Sequence, residues 1–250
     1  MIGECGEGPH INPPCSTHPL IVGTRVDRLR IAYRAPVDVR RVMDTAGVLV
    51  GNVHYRIDKR KARRRALGLS APGVEVEASP GLVIVNLRAA YLATSALADA
   101  VEHAGKVARV MTIDYGDPGT GEVWALDLCA DIAAAFTPDD PAAIVTRLQN
   151  ANRWREQGRR GVALTGFSFG NPDALCVGFY DKQRDLAGKG RHMAEVERAI
   201  WTSNGWIGEG PIWRVEIKLG GGALTRHGLR DAGALIVRVD PAWSTITTRV

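Results

Sequence analysis

Apolar and polar residues alternate along several stretches of this chain. RVDRLRIAYR (25–34), VLVGNVHYRI (48–57) and IWRVEIKL (212–219) place apolar side chains at every second position over much of their length, which is typical of strands with one buried face. Elsewhere, apolar residues recur every three or four positions between helix-boundary residues. This second pattern predicts helices at residues 36–47, 89–105, 140–158 and 191–202.

Turn residues join two further pairs of strands into hairpins. The first pair, 74–78 and 82–87, is separated by Ser79-Pro80-Gly81. The second pair, 161–169 and 174–182, is separated by a Gly-Asn-Pro-Asp turn. Glycine, proline and asparagine at these places favour tight reversals of the chain.

The remaining elements decide the fold class. Strands are predicted at 107–114 and 123–132, a short helix near 224–230, and a last strand at 234–239. Strands outnumber helices and often arrive as hairpins. The pattern therefore predicts an α+β fold with a mostly antiparallel sheet and helices packed on one face.

The order of elements also suggests how the chain is organised. Residues 1–22 are predicted to be a flexible N-terminal arm, and a Gly/Asp/Pro-rich link separates an α+β half at 23–114 from a second half at 115–250. Both halves share a rough order of strands, hairpin and helix. This is compatible with a duplicated RRM-like or nicking-domain unit.

Composition narrows the class of protein. The 250 residues are 45% apolar and 24% charged, which is ordinary for a soluble globular chain. No apolar run approaches the roughly 20 residues of a membrane span, so no membrane association is predicted. The four cysteines lie far apart without a paired C-x-x-C spacing, which favours a reducing, cytoplasmic setting.

Positive charge is concentrated in one segment. The net charge is +5. The segment RIDKRKARRR (56–65) contains many lysines and arginines but only one acidic residue, Asp58. Such a run is often a solvated surface, but it can also contact nucleic-acid phosphates. Its candidate DNA-binding residues are Arg56, Lys59, Arg60, Lys61, Arg63, Arg64 and Arg65.

Strand alternation places several polar side chains where they can meet. Asp127 and Asp131 share one face of their predicted strand. Tyr180 lies opposite the apolar residues of its hairpin strand, and Arg214 and Glu216 do so in a later strand. These groups converge if the three strands are neighbours in one sheet.

That convergence would support phosphoryl-transfer chemistry. Carboxylates such as Asp127, Asp131 and Glu216 provide the oxygen ligands that Mg²⁺ and Mn²⁺ prefer. The cation and Lys182 would favour the deprotonated phenol of Tyr180, a nucleophile for a phosphodiester. Alternatively, polar residues on a half-exposed antiparallel sheet serve solubility alone.

Three stretches, in this order, resemble the motifs of the Rep-trans rolling-circle replication initiators of plasmids and integrative elements. VWALDLCADI resembles the family's R-hydrophobic-D-x-x-x-D strand, and GFSFGNPDALCVGFYDKQRD resembles its G-x-x-x-S-x-x-x-x-R-x-Y-D-K-x-x-E hairpin. WRVEIKL resembles its W-x-R-hydrophobic-E strand. The resemblance extends over residues 105–230.

The resemblance implies an enzyme that nicks one strand of duplex DNA at a replication origin through a tyrosyl-phosphate linkage. It also implies a divalent cation, Mg²⁺ or Mn²⁺, and a host helicase as partner; a homodimer is compatible with it. The implied roles are a nucleophile at Tyr180, metal ligands at Asp127, Asp131 and Glu216, and phosphate or phenolate contacts at Lys182 and Arg214.

The chain departs from the family pattern at several points. Ala125 stands where the family commonly has arginine, Asp185 replaces the usual glutamate, and the chain ends sooner than expected, which suggests a truncated copy. Two alternatives to an active initiator follow. One is a non-catalytic DNA-binding protein of the same fold, and the other is a metal-dependent phosphodiesterase that uses water.

Overall fold

A computed structural model of the protein describes residues 20–43, 47–58, 67–133, 148, 166–171, 173–189 and 191–249. Its strands are β1 (Leu20–Tyr33), β2 (Val48–Val50), β3 (Val53–Asp58), β4 (Leu67–Ala71), β5 (Val74–Ser79), β6 (Leu82–Arg88), β7 (Glu122–Ala133), β8 (Gly166–Asn171), β9 (Leu175–Asp181) and β10 (Ile212–Leu219). Its helices are α1 (Val39–Met43), α2 (Ala89–Leu92), α3 (Leu97–Met111), α4 (Lys182–Ala187), α5 (Arg191–Ser203), α6 (Gly221–Arg226) and α7 (Ala232–Arg249).

The ten described strands form one antiparallel sheet in the order β2-β3-β4-β5-β6-β1-β7-β10-β9-β8. The predicted α+β class with a mostly antiparallel sheet is confirmed. The first strands of the two predicted halves, β1 and β7, pair at the centre. In each half the last strand, β6 or β10, lies beside the first, so the halves share a strand order.

The two predicted hairpins are confirmed. β5 pairs with β6 up to Ser79 opposite Leu82, and the left-handed φ of 84° at Gly81 allows the tight turn between them. β8 pairs with β9 in the same antiparallel manner. Local turn chemistry was therefore sufficient to place these strands.

The sheet has an apolar face and a polar face. Leu128, Val177 and Ile217 lie on the apolar face and belong to the main core, which also contains buried residues of α3, α6 and α7. The residues that alternate with these along each strand lie on the polar face. Helix α5 packs on this polar face, where Trp201 joins a second, smaller cluster with Ile212; the sequence pattern did not predict this layer.

Two predicted elements of the N-terminal half differ from the structure. The strand predicted at 48–57 is instead the β2–β3 hairpin, because Gly51 adopts a left-handed φ of 56° and reverses the chain. The helix predicted at 36–47 begins only at Val39, as α1, whose first turn is capped by Asp38 through the backbone N–H of Arg41 at 3.0 Å. Residues 44–46 lie outside the described part of the chain.

The strand predicted at 107–114 is wrong. The helix predicted at 89–105 divides into α2 and α3, and α3 continues through Gly105 to Met111. Its buried residues Ala100, Ala104, Val107 and Met111 follow helical spacing. The apolar residues after Gly105 therefore continue a helical stripe.

The last strand predicted at 234–239 is also wrong, because these residues belong to α7. Asp231 accepts a hydrogen bond from the backbone N–H of Ala234 at 2.7 Å, as a helix-capping residue does. Leu235, Ala242 and Ile246 are buried along one side of the helix. The buried stripe of α7 is longer than residues 234–239, which taken alone also fit the pattern of a strand.

Other predictions fall wholly or partly on residues outside the described ranges. The helix predicted at 140–158 lies outside the described residues except for Leu148, and so do residues 1–19 of the predicted arm. Residues 20–22 of that arm belong to β1. The predicted boundary near residues 114–122 falls between the end of α3 and the start of β7, while the sheet itself continues from one half to the other.

No helix in the described ranges is both long enough and apolar enough to span a bilayer.

Candidate functional site on the polar face

Three neighbouring strands bring the predicted polar residues to one face. β10 pairs with β9 and β7, and Tyr180 lies opposite Arg214, which in turn lies opposite Asp131. Four positions further along β10, Lys218 lies opposite Asp127. Directly paired residues of antiparallel strands share a face. The predicted meeting of these three strands is therefore confirmed.

Glycines shape the space around Tyr180. A Cβ atom added at Gly166 would lie 2.5 Å from the Cβ atom of Tyr180, so this close approach requires glycine. At Gly178 an added Cβ would meet only backbone oxygens at 3.9 Å. The tyrosine is half-buried, and the small residue Gly178 precedes it by two positions on the polar face.

The environment of Tyr180 favours the protonated phenol. Burial raises the pKa of Tyr180 well above its usual value, and the negative charge of Glu216 raises it further. Arg214 opposes this shift. In the metal-free protein the pKa thus moves opposite to the sequence-based expectation, because the lost hydration outweighs the nearby cations.

Asp127 and Glu216 form a crowded acidic pair. Asp127 is 6% exposed and Glu216 is 8% exposed. Burial and the charge of Glu216 raise the pKa of Asp127 to about 6, although Arg28 and Lys218 oppose the shift. The ammonium of Lys218 lies 3.2 Å from the Glu216 carboxylate. Two nearly buried carboxylates therefore lie close enough to repel one another.

Asp131 and Arg214 are partners of one another. Two nitrogens of the Arg214 guanidinium donate to the two carboxylate oxygens of Asp131 at 2.6 and 2.7 Å. The indole N–H of Trp201 donates to the same carboxylate at 2.8 Å. Burial alone would raise the pKa of Asp131, but the hydrogen bonds and charge of Arg214 hold it below the usual range.

Glu197 of helix α5 completes a buried ionic cluster. It is 1% exposed and accepts hydrogen bonds from Arg214 at 3.1 and 3.2 Å and from Arg25. The ammonium of Lys182 lies 3.6 Å from it and 3.0 Å from Asp185. This cluster ties α5 to β1 and β10 and to the start of α4.

These contacts change the roles of three predicted residues. Arg214 has no solvent exposure, and its remaining nitrogen donates to Asp27 at 2.8 Å. Lys182 is 2% exposed and is held by carboxylates. Neither cation can reach a phosphate in this arrangement, and the oxygens of Asp131 are occupied by hydrogen-bond donors. The three residues are suited to positioning the site.

Lys182 also differs from its expected placement at the end of the strand predicted at 174–182. The strand ends at Asp181, so Lys182 begins α4 instead of continuing β9. Its ammonium still lies 5.8 Å from the centroid of the Tyr180 ring. Asp185 is bound by Lys182 and by Lys189 at 2.7 Å, so both of its charged contacts are cations.

Four residues of the cluster were not identified from the sequence: Arg25, Asp27, Glu197 and Trp201. Asp27 lies in the β-bulge between Val26 and Arg28. Simple alternation places Arg25 and Asp27 on the same face as the core residue Leu29, and the bulge moves them to the opposite, polar face. Glu197 and Trp201 are four positions apart on one face of α5. That spacing was visible, but a buried glutamate has no sequence signature.

The basic segment is only partly described. Arg56 is exposed on β3. The other predicted DNA-binding residues lie outside the described part of the chain: Lys59, Arg60, Lys61, Arg63, Arg64 and Arg65.

The predicted metal set is only partly assembled. Within the described ranges, no three histidine, cysteine or acidic side chains are placed so that they could hold a metal ion. Asp131 does not fit the role, because Arg214 and Trp201 occupy its oxygens. Asp127 and Glu216 fit better, since a cation between two crowded carboxylates would relieve their repulsion.

We compared the chain with protein-family models, with curated proteins and with solved structures, and none of the three comparisons produced a match.

Proposed function

We propose that this protein is a DNA strand-nicking and rejoining enzyme that initiates rolling-circle replication through a tyrosyl-phosphate intermediate. One observation supports the proposal most: the half-exposed Tyr180 shares the polar face of three adjacent strands with the acidic pair Asp127–Glu216. An aromatic hydroxyl close enough to the Glu216 carboxylate to be influenced by its charge is suited to phosphoryl transfer.

The reaction exchanges one phosphate ester for another. The phenol oxygen of Tyr180 attacks the phosphorus of a phosphodiester, the bond from phosphorus to the 3′ oxygen breaks, and the 3′ oxygen takes up a proton. The DNA is then joined to tyrosine through its 5′ phosphate. The phenol must lose its proton, and the carboxylates of Asp127 and Glu216 are the bases on the same face.

Asp127 and Glu216 would also hold the divalent cation in this proposal. A bound Mg²⁺ or Mn²⁺ supplies positive charge that stabilises the phosphate and lowers the pKa of a nearby phenol. The buried Asp131–Arg214–Glu197 cluster fixes the strands on which these groups are carried.

A covalent adduct is the direct test. The protein is incubated with single-stranded DNA and Mn²⁺, and denaturing electrophoresis is used to detect protein attached to a 5′ phosphate. Wild type should form the adduct and Tyr180→Phe should abolish it, because the substitution removes only the attacking oxygen. Tyr115→Phe is the matched control, since Tyr115 is 62% exposed in a 3-10 turn and its ring lies against Arg41.

Other outcomes would identify the alternatives. An adduct that persists in Tyr180→Phe would exclude Tyr180 as the nucleophile. Cleavage without an adduct would indicate a metal-dependent phosphodiesterase that uses water. Salt-sensitive binding with neither cleavage nor adduct would indicate a non-catalytic DNA-binding protein. A helicase partner and a cytoplasmic setting belong to the replication-initiator proposal and are not needed for this test.

A further inference from the structure

The polar face continues far beyond Tyr180 into the N-terminal half. Successive strand pairings place five residues in one row across β3, β4, β5, β6 and β1: Arg56, Ser70, Glu75, Asn86 and Arg30. Their sequence neighbours Leu69, Val76, Val85 and Ile31 belong to the main core. The row therefore points away from that core, on the polar face.

A second row connects this region to the site. It runs from Arg88 on β6 through Arg28 on β1 and Asp127 on β7 to Lys218 on β10. The described helices that pack against β1 and β6 through the main core, α2 and α3, lie on the opposite face. One polar surface thus extends from β9 to β3.

Arginines predominate on the described part of this surface in the N-terminal half. Four arginines, at positions 28, 30, 56 and 88, accompany three acidic positions on the same face of the strands, Asp58, Glu75 and Glu77. Arg88 lies 3.0 Å from Glu75, and Arg30 lies 3.9 Å from Glu77. These are exposed contacts of small energy. The four arginines outnumber the three acidic residues, which favours contact with a polyanion.

An aromatic ring lies between the arginine rows and the acidic pair. Trp124 of β7 is partly exposed, and the guanidinium carbon of Arg30 lies 5.8 Å from its ring centroid. Its indole N–H donates to Glu122 at 3.0 Å, which fixes the ring. Exposed aromatic rings beside arginines are suited to stacking with nucleic-acid bases.

We propose that this arginine-bearing face, defined by Arg28, Arg30, Arg56, Arg88 and Trp124, binds the single DNA strand that continues from the phosphate at Tyr180. From β9 to β3 there are seven strand spacings, or about 34 Å at ~4.8 Å each. Single-strand sites of other proteins cover about 4–16 nucleotides, which suits this length. The inference depends on the proposed function only for the location of the cut phosphate.

The shape of the face favours a single strand over a duplex. Helix α5 packs on the same face beside Tyr180 and holds Arg214 through Glu197. A helix of about 10 Å diameter forms a wall there. A flexible single strand can pass along this wall, whereas duplex DNA has a persistence length of about 50 nm and resists bending.

Binding can be measured without cleavage. A fluorescent single-stranded oligonucleotide of about 12 nucleotides is titrated with Tyr180→Phe protein in the absence of divalent cations, at several salt concentrations. Arg56→Gln combined with Arg88→Gln should weaken binding about tenfold at moderate salt. Losing two phosphate contacts should also reduce the slope of log K against log salt by about 1.4, at ~0.7 per contact.

Lys106→Gln combined with Arg109→Gln is the charge-matched control. Both residues are exposed on α3, which packs on the apolar face, and their loss changes the net charge equally. This control should retain the affinity and salt slope of the Tyr180→Phe protein. Equal losses in the two double variants, no loss in either, or tighter binding of a duplex of the same length would overturn the proposal.

The same experiment separates this proposal from the nicking activity. If wild type forms no covalent adduct but Arg56→Gln/Arg88→Gln selectively weakens binding, the proposed nicking function is wrong and the proposed binding face is supported. If wild type forms the adduct but the two double variants bind DNA equally, the proposed binding face is wrong and the proposed nicking function is supported.

Discussion

At the scale of single residues, Arg214 shows how one buried side chain can determine a site. Its guanidinium donates to Asp131, Asp27 and Glu197, which come from β7, β1 and α5. The planar group offers several donors in fixed directions, so it can satisfy three carboxylates at once. A lysine has a single nitrogen and could not replace it. The arrangement beside Tyr180 therefore depends on residues that never touch a substrate.

Glu197→Gln tests this dependence. The substitution removes a buried negative charge and leaves Arg214, Arg25 and Lys182 with less compensation. Breaking a buried ion pair typically costs about 3–5 kcal/mol, and the amide of glutamine will recover part of this. We expect the free energy of unfolding to fall by about 2–3 kcal/mol, measured by urea denaturation.

Glu195→Gln provides the control within the same helix. Glu195 is 55% exposed and pairs with Arg191 at the surface. Its loss should change the free energy of unfolding by less than about 0.5 kcal/mol. Similar losses in the two variants would show that Glu197 has no special structural role.

At the scale of elements, the hairpins were predictable because their turn residues act locally. Gly81 adopts the left-handed φ that a tight turn needs, whatever the rest of the chain does. Helix α7 was not predictable from residues 234–239, because its stripe is visible only when Ala242 and Ile246 are included. Short apolar windows fit both a buried helix and a strand, and tertiary packing decides between them.

Helix α3 carries a pH-sensitive contact with β3. The Nε2 atom of His103 lies 2.6 Å from the Tyr55 hydroxyl, and its ring stacks at 5.3 Å on Tyr91. Burial lowers the pKa of His103, with a smaller contribution from Lys106. Burial also raises the pKa of Tyr55. A protonated phenol and a neutral imidazole are the forms that can share this hydrogen bond.

We expect acid to weaken the α3–β3 contact. A histidine whose folded pKa lies below the unfolded value of 6.5 contributes stability that is present above pH 6.5 and is lost as the pH falls through the folded pKa. Thermal unfolding of wild type between pH 7.5 and 5 should show this loss, and His103→Gln should reduce it. An unchanged pH dependence in the variant would assign the loss to other groups.

At the scale of the whole molecule, sequence reasoning predicted which strands would meet but not what would cover them. Alternation correctly placed Tyr180 and Asp127 on one face. It could not determine that Asp131 binds an arginine instead of a metal ion, because that outcome depends on Trp201 and Glu197 of a helix remote in sequence. The sequence around a buried carboxylate does not reveal whether its partner is an arginine or a metal ion.

The central pairing of β1 with β7 predicts that the two halves unfold together. All six tryptophans follow residue 121, so tryptophan fluorescence reports on the C-terminal half, whereas far-UV circular dichroism reports on both. Because the halves share one sheet and one main core, the two signals should follow a single urea transition with the same midpoint. Separate midpoints would show that the halves unfold independently.

The β1–β7 pairing also has a consequence for how the chain is made. Leu20 lies opposite Ala133, so β1 leaves the ribosome long before its partner exists. At typical synthesis rates of about 5–20 residues per second, the interval is roughly ten seconds. During that time the β7-facing edge of β1 has no native neighbour. A nascent chain with this topology therefore depends on chaperones or on temporary pairing to avoid aggregation before its second half emerges.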